Sequence, residues 1–535
     1  MLAADMELGA GNVLLRLAEH GADLDEPRIA FDTPVDGFKP WTLLSLRELT
    51  ELAAARADWF RGKGIGRRDP VALYVTDAAD VFLNFFALSR LGAVPALMNG
   101  NMPLEVAVEY IKRLRCSGVV TDAAHAQVAE YDLGAPILGD AAETGSGDPQ
   151  GAPEHFRHFG DDPVAVTHSS GTTRVPAAVV HSHHSLFAAI RAVRLTEPRP
   201  YGDVRELSAL PAAHTAGLIT VNQALCNGYE LLCLSAQGGS GAEAVLDAIE
   251  RWRPTGVFGF AVTWAEMARF DLAARDLSSV RNWFNTGDCA HEAHIRRLVA
   301  VGSHLEPDPG GGQREVVGSK FIDALGSTEM GHSAFFMTHQ LGSAVYDRCV
   351  GRTFPFAEIK LLDTATGQEV PDGTVGQAAL KSPTVAPGYW NDSAATYRNR
   401  LNGYYLTGDL MYRDEEGLYY HVDRASDAVD LGGGEWLYTA LSEERILRQC
   451  PDVRDCTVVA GRGPDGAVTA DVLLLLATGA DPDADRRPAV AAALGEAAAR
   501  VLRRVTSVAD DDVALGPTGK VRKFLMRQRL AAAAD

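Results

Sequence analysis

Pro163-Val164-Ala165-Val166-Thr167-His168-Ser169-Ser170-Gly171-Thr172-Thr173-Arg174-Val175-Pro176-Ala177-Ala178-Val179-Val180 is where the fold of this chain can first be read. Two short apolar runs flank a stretch carrying five hydroxyls and one glycine. That pattern predicts strand, loop, strand. Hydroxyls and exposed backbone N–H groups are donors suited to phosphate oxygens, and glycine lets the backbone come close to them. Taken alone, the same stretch reads as a Ser/Thr-rich turn.

Outward from this loop the pattern is one of alternation. Val71-Ala72-Leu73-Tyr74-Val75 predicts a buried strand, and Val81, Phe82, Phe85, Phe86 and Leu88 then share one helical face. Gly92 to Leu97 returns as a strand, Gly118 to Thr121 repeats the unit, and Ala242 to Trp252 predicts a helix before the strand Gly256 to Gly259. Strands alternating with helices predict parallel sheets flanked by helices. After about residue 350 the segments Glu358 to Leu362, Gln377 to Leu380 and Gly417 to Val422 predict short strands joined by Gly, Pro and Asp turns. Beyond Arg424 a helix (Thr439 to Gln449), strands (Cys456 to Ala460, Val472 to Ala477) and an Ala-rich helix near 488–504 predict a compact α+β segment. Pro307 to Gly312 is expected to be a surface loop.

The chain has 535 residues, more than one core usually organises, so two or more domains are expected. Its 46% apolar and 22% charged residues are ordinary for a folded protein, and disorder is excluded as the main state. A formal net charge of -20 disfavours non-specific binding to nucleic acid or anionic membrane, and neither is expected as a partner. Seven scattered cysteines without a C-x-x-C pair indicate neither a disulfide framework nor a zinc site. The start lacks the basic and apolar segments of a signal peptide, and no apolar run reaches membrane-spanning length. The cytoplasm is therefore the expected location.

Three further segments carry chemistry. In Asp323-Ala324-Leu325-Gly326-Ser327-Thr328-Glu329 an apolar run ends on a hydroxyl and a carboxylate, and Glu329 suits a magnesium ion, which takes few protein carboxylates. In Tyr404-Tyr405-Leu406-Thr407-Gly408-Asp409-Leu410, an Asp beside a glycine turn can accept from a pair of sugar hydroxyls. In Gly516-Pro517-Thr518-Gly519-Lys520-Val521-Arg522, Lys520 has the reach to offset charge on a transferring phosphoryl group. Alone, these read as an acidic loop, a Gly-Asp turn and a solvated lysine. No Walker G-x-x-x-x-G-K-S/T is present, which disfavours P-loop chemistry.

In order and spacing, the four segments resemble the motifs of the adenylate-forming superfamily: acyl-CoA synthetases, aryl-acid and peptide-synthetase adenylation domains, and luciferases. The hydroxyl-rich loop resembles T-S-G-T-T-G-x-P-K-G, and the others Y-G-x-T-E, Y-x-T-G-D-L and T-G-K-x-x-R/K, with Lys523 as the last member. Ala87 to Asn99 and Gly376 to Trp390 agree as well, so the resemblance runs from about residue 30 to 527. It implies an α/β fold. A large N-terminal domain (1–423) would combine parallel-rich sheets with a β-rich subdomain at about 350–423. A small mobile α+β domain (424–535) would follow a hinge at Val422 to Asp427.

The resemblance implies that ATP is used to form an adenylate and release pyrophosphate, with Mg2+. Ser169, Ser170, Gly171, Thr172, Thr173 and Arg174 would meet phosphates, Asp409 ribose, and Arg424 the nucleotide. Thr328 and Glu329 would serve phosphate and magnesium, and Lys520 would promote adenylation. Leu210-Pro211-Ala212-Ala213-His214-Thr215-Ala216-Gly217 resembles the P-x-x-H-x-x-G segment beside the acyl pocket, which His214, Leu325 and Gly326 would line. It lacks the aspartate of amino-acid-activating domains, which favours an aryl or cinnamic-type acid as substrate.

Several positions depart from the pattern. Arg174 replaces a glycine, Ala177 and Ala178 replace lysine and glycine, and Leu325 replaces an aromatic whose stacking is worth about 0.5–1.5 kcal/mol. Asp430, before Gly432-Gly433-Gly434, stands where CoA-using members generally have lysine, and so inverts the local charge. CoA or a carrier protein as the thiol acceptor is thus left open. His181-Ser182-His183-His184 and His291-Glu292-Ala293-His294 lack convincing metal spacing, and Asp288 reads as a helix cap. Two other readings compete: an ATP-dependent diazotase activating nitrite for an aryl amine, and a non-catalytic small-molecule-binding protein on a degenerate ligase.

Overall fold

The computed structural model describes residues 2–169, 175–196, 204–235, 241–363, 365–463, 466–516 and 520–532. The chain forms two compact units. The first comprises Met1–Gly259, Gly326–Ser333 and Lys381–Arg400; the second comprises Phe260–Leu325, Ala334–Leu380 and Leu401–Asp535.

In the first unit a seven-stranded sheet runs in the order Gly388–Tyr389, Ala178–Ser182, Pro163–His168, Val94–Asn99, Pro70–Val75, Gly118–Thr121, Ile137–Asp140. The last five strands are mutually parallel, and Pro163–His168 turns back antiparallel into Ala178–Ser182. The hydroxyl-rich segment therefore lies between the two strands of a hairpin at the antiparallel edge of this sheet. A second run of strands includes Arg205–Ser208, Glu230–Cys233 and Pro27–Phe31, all parallel. Helices Leu46–Gly62, Ala78–Leu91 and Thr215–Asn227 bury Phe60, Phe82, Phe85 and Leu225 in one large core. Helix Leu46–Gly62 begins with a reciprocal cap between Ser45 and Glu48. Leu104–Leu114 packs the sheet's other face through Tyr110, Ile111 and Leu114.

In the second unit Asn282–Thr286 pairs parallel with Lys320–Ala324, and antiparallel strands follow, among them Phe335–His339, Cys349–Thr353, Tyr419–Arg424, Tyr404–Arg413 and Gly376–Lys381. Further along are the hairpin Val429–Gly432/Glu435–Leu437 and the sheet Val453–Arg462, Val468–Leu476, Leu502–Ser507. Side chains alternate across that sheet. Val458, Val472 and Leu474 face helices Thr439–Gln449 and Arg487–Leu494, whereas Val459 and Leu473 face Met526 of helix Lys523–Ala532.

The Ala-rich helix expected over 488–504 is shorter than its composition suggests. It breaks at Gly495, resumes as Glu496–Arg500, and gives way to the strand Leu502–Ser507. Parallel pairing with Val468–Leu476 overrides helix propensity there. The strand expected from Gly417 begins at Tyr419, because Gly417 belongs to the preceding turn. Among the described residues no helix is long and apolar enough to cross a membrane.

Candidate nucleotide and acid site

Ser169 sits where the strand Pro163–His168 runs out. Its N–H donates to Ala177 O at 3.0 Å, and its Oγ accepts from Ala177 N–H at 3.1 Å, so the base of the loop is closed. Ser170, Gly171, Thr172, Thr173 and Arg174 lie outside the described residues. Beneath the hairpin, Thr167 Oγ1 and Thr215 Oγ1 lie 2.8 and 3.0 Å from Nε2 of buried His181. That triangle ties the strand to the first turn of helix Thr215–Asn227.

His214 is the N-cap of that helix. Its Nδ1 accepts from Ala216 N–H at 3.1 Å, which puts the ring proton on Nε2, 3.3 Å from Thr328 Oγ1. Thr328 in turn approaches His168 O at 3.5 Å. His214 and Thr328, 114 positions apart in sequence, are thus brought together.

Gly326 to Ser333 is a tight loop closed by a bridge between its ends. A Cβ at Gly326 would lie 2.7 Å from Ser333 Cα, so only glycine fits. The next turn is tighter still: Gly331 has φ +71, and a Cβ there would lie 1.9 Å from Thr384 O. Glu329, half-buried, accepts at Oε1 from Tyr389 OH at 3.2 Å, and Asn399 Nδ2 donates to the same phenol oxygen. Thr384 Oγ1 and Ala386 N–H hold the backbone of Met330 and Glu329.

In the second unit Asp409 and Arg424 face each other across paired strands. Arg424 donates to Asp409 Oδ1 at 2.7 Å, and Nε2 of buried His421 lies 3.4 Å from the same oxygen. Burial raises the Asp409 pKa, but Arg424 and His421 overcome it and hold the carboxyl well below the usual range. Asp409 is 3% exposed and stays anionic. Leu325, also of this unit, is 2% exposed, and its carbonyl accepts from Ala334 N–H.

Lys520 Nζ donates to Gly287 O at 3.3 Å and lies 3.5 Å from Asp288 Oδ2. Asp288 is not the helix cap that its position suggests. Helix Glu292–Val299 has His291 at its N-cap, and the 287–290 segment is drawn elsewhere by Asp323 and Asn285. Asp323 Oδ2 accepts from Ala290 N–H, while Asn285 Nδ2 donates to both Asp323 Oδ1 and Asp288 O at 2.6 Å. Trp264 Nε1 donates to Asn285 Oδ1 at 2.9 Å. The Asp288 carboxylate is left facing cations: Arg348 is 3.4 Å from Oδ1. Desolvation raises its pKa, yet Lys520, Arg348, His421 and Arg424 hold it far below the ordinary range. Arg348 also donates to His421 Nδ1 at 2.9 Å and to His421 O. The chain Lys520–Asp288–Arg348–His421–Asp409–Arg424 is thereby continuous.

Other residues singled out in the sequence have structural partners. His291 Nδ1 lies 2.6 Å from Glu444 Oε2, and His294 Nε2 lies 2.9 Å from Arg454 O. Lys523 donates to Thr439 Oγ1 (2.7 Å) and pairs with Glu443 (2.8 Å). Asp430, exposed, accepts at Oδ1 from Gly432 N–H at 2.8 Å, and Gly432, Gly433 and Gly434 all have positive φ. This turn requires glycine, so the run is a demand of the hairpin. Sequence reasoning passed over Tyr389, which lies inside the Gly376 to Trp390 match. It also missed Arg348 and His421, which carry no local signal because they meet across 73 positions.

The match to the AMP-binding enzyme family covers residues 20–390, and the chain belongs to that family. It is an adenylate-forming ligase of α/β fold. Among relatives, it is 42% identical to a Streptomyces 3-aminoavenalumate diazotase over 99% of this chain and 97% of that one. It is 24% identical to the 3-hydroxybenzoate–CoA ligase of Aromatoleum sp. (strain CIB), over 91% of each. Its fold is that of the anthranilate CoA ligase AuaEII solved with anthranoyl-AMP, with TM-score 0.83, 20% identity and full coverage of both chains.

Proposed function

We propose that the chain uses ATP to adenylate a small acid, with an aryl or cinnamic-type acid as its organic substrate. The observation that carries this reading is the connected network of the second unit. Buried, anionic Asp409 suits ribose hydroxyls, Arg424 stands beside it, and the same network ends on the Lys520 ammonium. An acid oxygen attacks the α-phosphorus, the bond to the bridging oxygen breaks, and pyrophosphate leaves. Lys520 offsets the charge that develops, and the remaining groups hold the reactants in line. Glu329 would hold Mg2+, which neutralises phosphate charge, and Thr328 would meet a phosphate oxygen. His214, Leu325 and Gly326 would border the acid. Ser169, Ser170, Gly171, Thr172, Thr173 and Arg174 would face the phosphates, with Arg174 supplying the charge lost at Ala177.

We read residues 1–423 as the large domain and 424–535 as a small mobile one. A separate core around Ile446, Val458, Val472 and Val490 supports that division.

A second reading concerns the group activated. The 42% relative is named a diazotase, and exposed Asp430 occupies the place of a CoA-face lysine. Both favour nitrite as the adenylated acid. The aryl amine nitrogen would then attack the nitroso nitrogen, AMP would leave, and loss of water would yield the diazonium. In that case the aryl acid is the acceptor, and CoA is not used. Otherwise the acyl-AMP passes to CoA or a carrier thiol.

The test is AMP and pyrophosphate release over aryl, cinnamic, fatty and amino acids, each with and without CoA, and with nitrite plus aminoaryl acids. AMP release driven by a carboxylate alone supports the acyl reading. Release requiring nitrite and an aminoaryl acid supports the diazotase. Silence from folded protein with Mg2+ overturns both substrate readings.

A further inference from the structure

Lys520 and Asp288 are 232 positions apart by their numbers, and nothing in either motif links them. The Lys520 ammonium has three N–H donors, of which Gly287 O takes one and Asp288 Oδ2 lies within reach of a second. A third remains for a phosphoryl oxygen. The acceptor is held in place by groups other than Lys520. Cys289 N–H donates to Asp288 Oδ1 at 2.9 Å, Asn285 fixes the Asp288 carbonyl, and Asp323 fixes Ala290. Asn285 is itself held by buried Trp264. Arg348, Asp288's other cationic neighbour, is buried and anchored to His421. This is far more support than an exposed surface carboxylate receives.

We propose that Asp288 is the positioning residue for Lys520, docking its ammonium so that one N–H points to the reacting phosphoryl group. Asp288 acts through Lys520 and touches no substrate. Long lysine side chains sample many rotamers, and fixing the head group removes that search from the reaction step. The role in turnover rests on the adenylation reading; the docking itself does not.

Two measurements on the full chain test it. The first needs no activity: tryptic cleavage at Lys520–Val521, followed by mass spectrometry and referenced to cleavage after exposed Lys63. Asp288→Asn keeps the shape and removes the charge. It should raise Lys520 cleavage about threefold, as expected for losing one partly exposed ion pair, and Asp288→Glu should restore much of the protection. Equal cleavage in wild type and Asp288→Asn overturns the docking. The second is a double-mutant cycle on AMP release with Mg-ATP and the acid active in the screen above. Asp288→Asn should lower kcat about tenfold with KM for ATP within about twofold, and should cost nothing further in a Lys520→Ala background. Effects that multiply, or a full-rate Asp288→Asn, overturn the positioning role. Wild-type silence in this assay instead sinks the adenylation reading, and the cleavage measurement still decides the docking.

Discussion

Glu329 is a carboxylate held by a phenol. Tyr389 OH donates to Oε1, and Asn399 orients the phenol from the other side. A ligand's supporting hydrogen bond typically affects metal affinity by tenfold or more. With Glu329 as the proposed Mg2+ ligand, Tyr389→Phe should leave the fold intact and raise the Mg2+ concentration for half-maximal AMP release about tenfold. A Mg2+ titration of both proteins checks this, and an unchanged midpoint would remove Glu329 from the metal site. His214 illustrates how one residue can do two things at this scale. As N-cap it satisfies Ala216 N–H, and the tautomer this imposes turns its remaining N–H toward Thr328.

The element that carries Thr328 and Glu329 is the eight-residue loop Gly326 to Ser333, and it is held shut by close backbone approach. Gly331→Ala should destabilise the chain by about 2–4 kcal/mol, combining positive φ with a Cβ inside contact distance of Thr384 O. Gly134 has φ +66 with nothing within 4 Å, so Gly134→Ala should cost only about 1 kcal/mol. Denaturant unfolding of the two variants compares them directly. Equal losses would mean that backbone conformation alone, and not contact with Thr384, matters at Gly331. The hairpin Val429–Gly432/Glu435–Leu437 is a different case. Three consecutive positive φ angles make its glycine run a defined turn.

At the scale of the whole molecule, stability should depend on pH through the pair joining helices Glu292–Val299 and Thr439–Gln449. Burial lowers the His291 pKa, but Glu444 more than reverses this and raises it above 6.5. Glu444 is held below 4.5, with His291 and Arg348 prevailing over burial. A raised histidine contributes fully below its unfolded value and loses that contribution as pH rises through the folded one. A depressed glutamate contributes above its unfolded value and loses it as pH falls. The pair is thus strongest between about pH 4.5 and 6.5 and weakens as pH rises further, through the raised folded pKa of His291. Tm should fall from pH 6 to pH 9, and Glu444→Gln should remove that part of the slope. A slope identical in the variant would exclude the pair as its source.

Local chemistry was enough to read much of this protein from its residues in order. Alternating apolar runs and helical faces gave the parallel sheet, because periodicity reports which side of an element is buried. Asp409, Arg424, Glu329, Thr328, His214 and Lys520 could be picked out as candidates because each sits in a short segment that resembles a motif of the adenylate-forming superfamily. Asp409 and Arg424 do face each other, as strand register brings them to. Arg348, His421 and Asp288 were not legible as partners. Arg348 meets His421 across 73 positions, and Lys520 reaches the carbonyl of Gly287 across 233. Asp288 looked like a cap because a carboxylate before a helix usually is one. Asn285 and Asp323 pull its loop aside, and the carboxylate meets Lys520 instead. Periodicity and capping are properties of adjacent residues and survive without the fold. A buried charge finds its partner only when distant strands bring the two together, since its pairing depends on distance in space and on the water excluded around it.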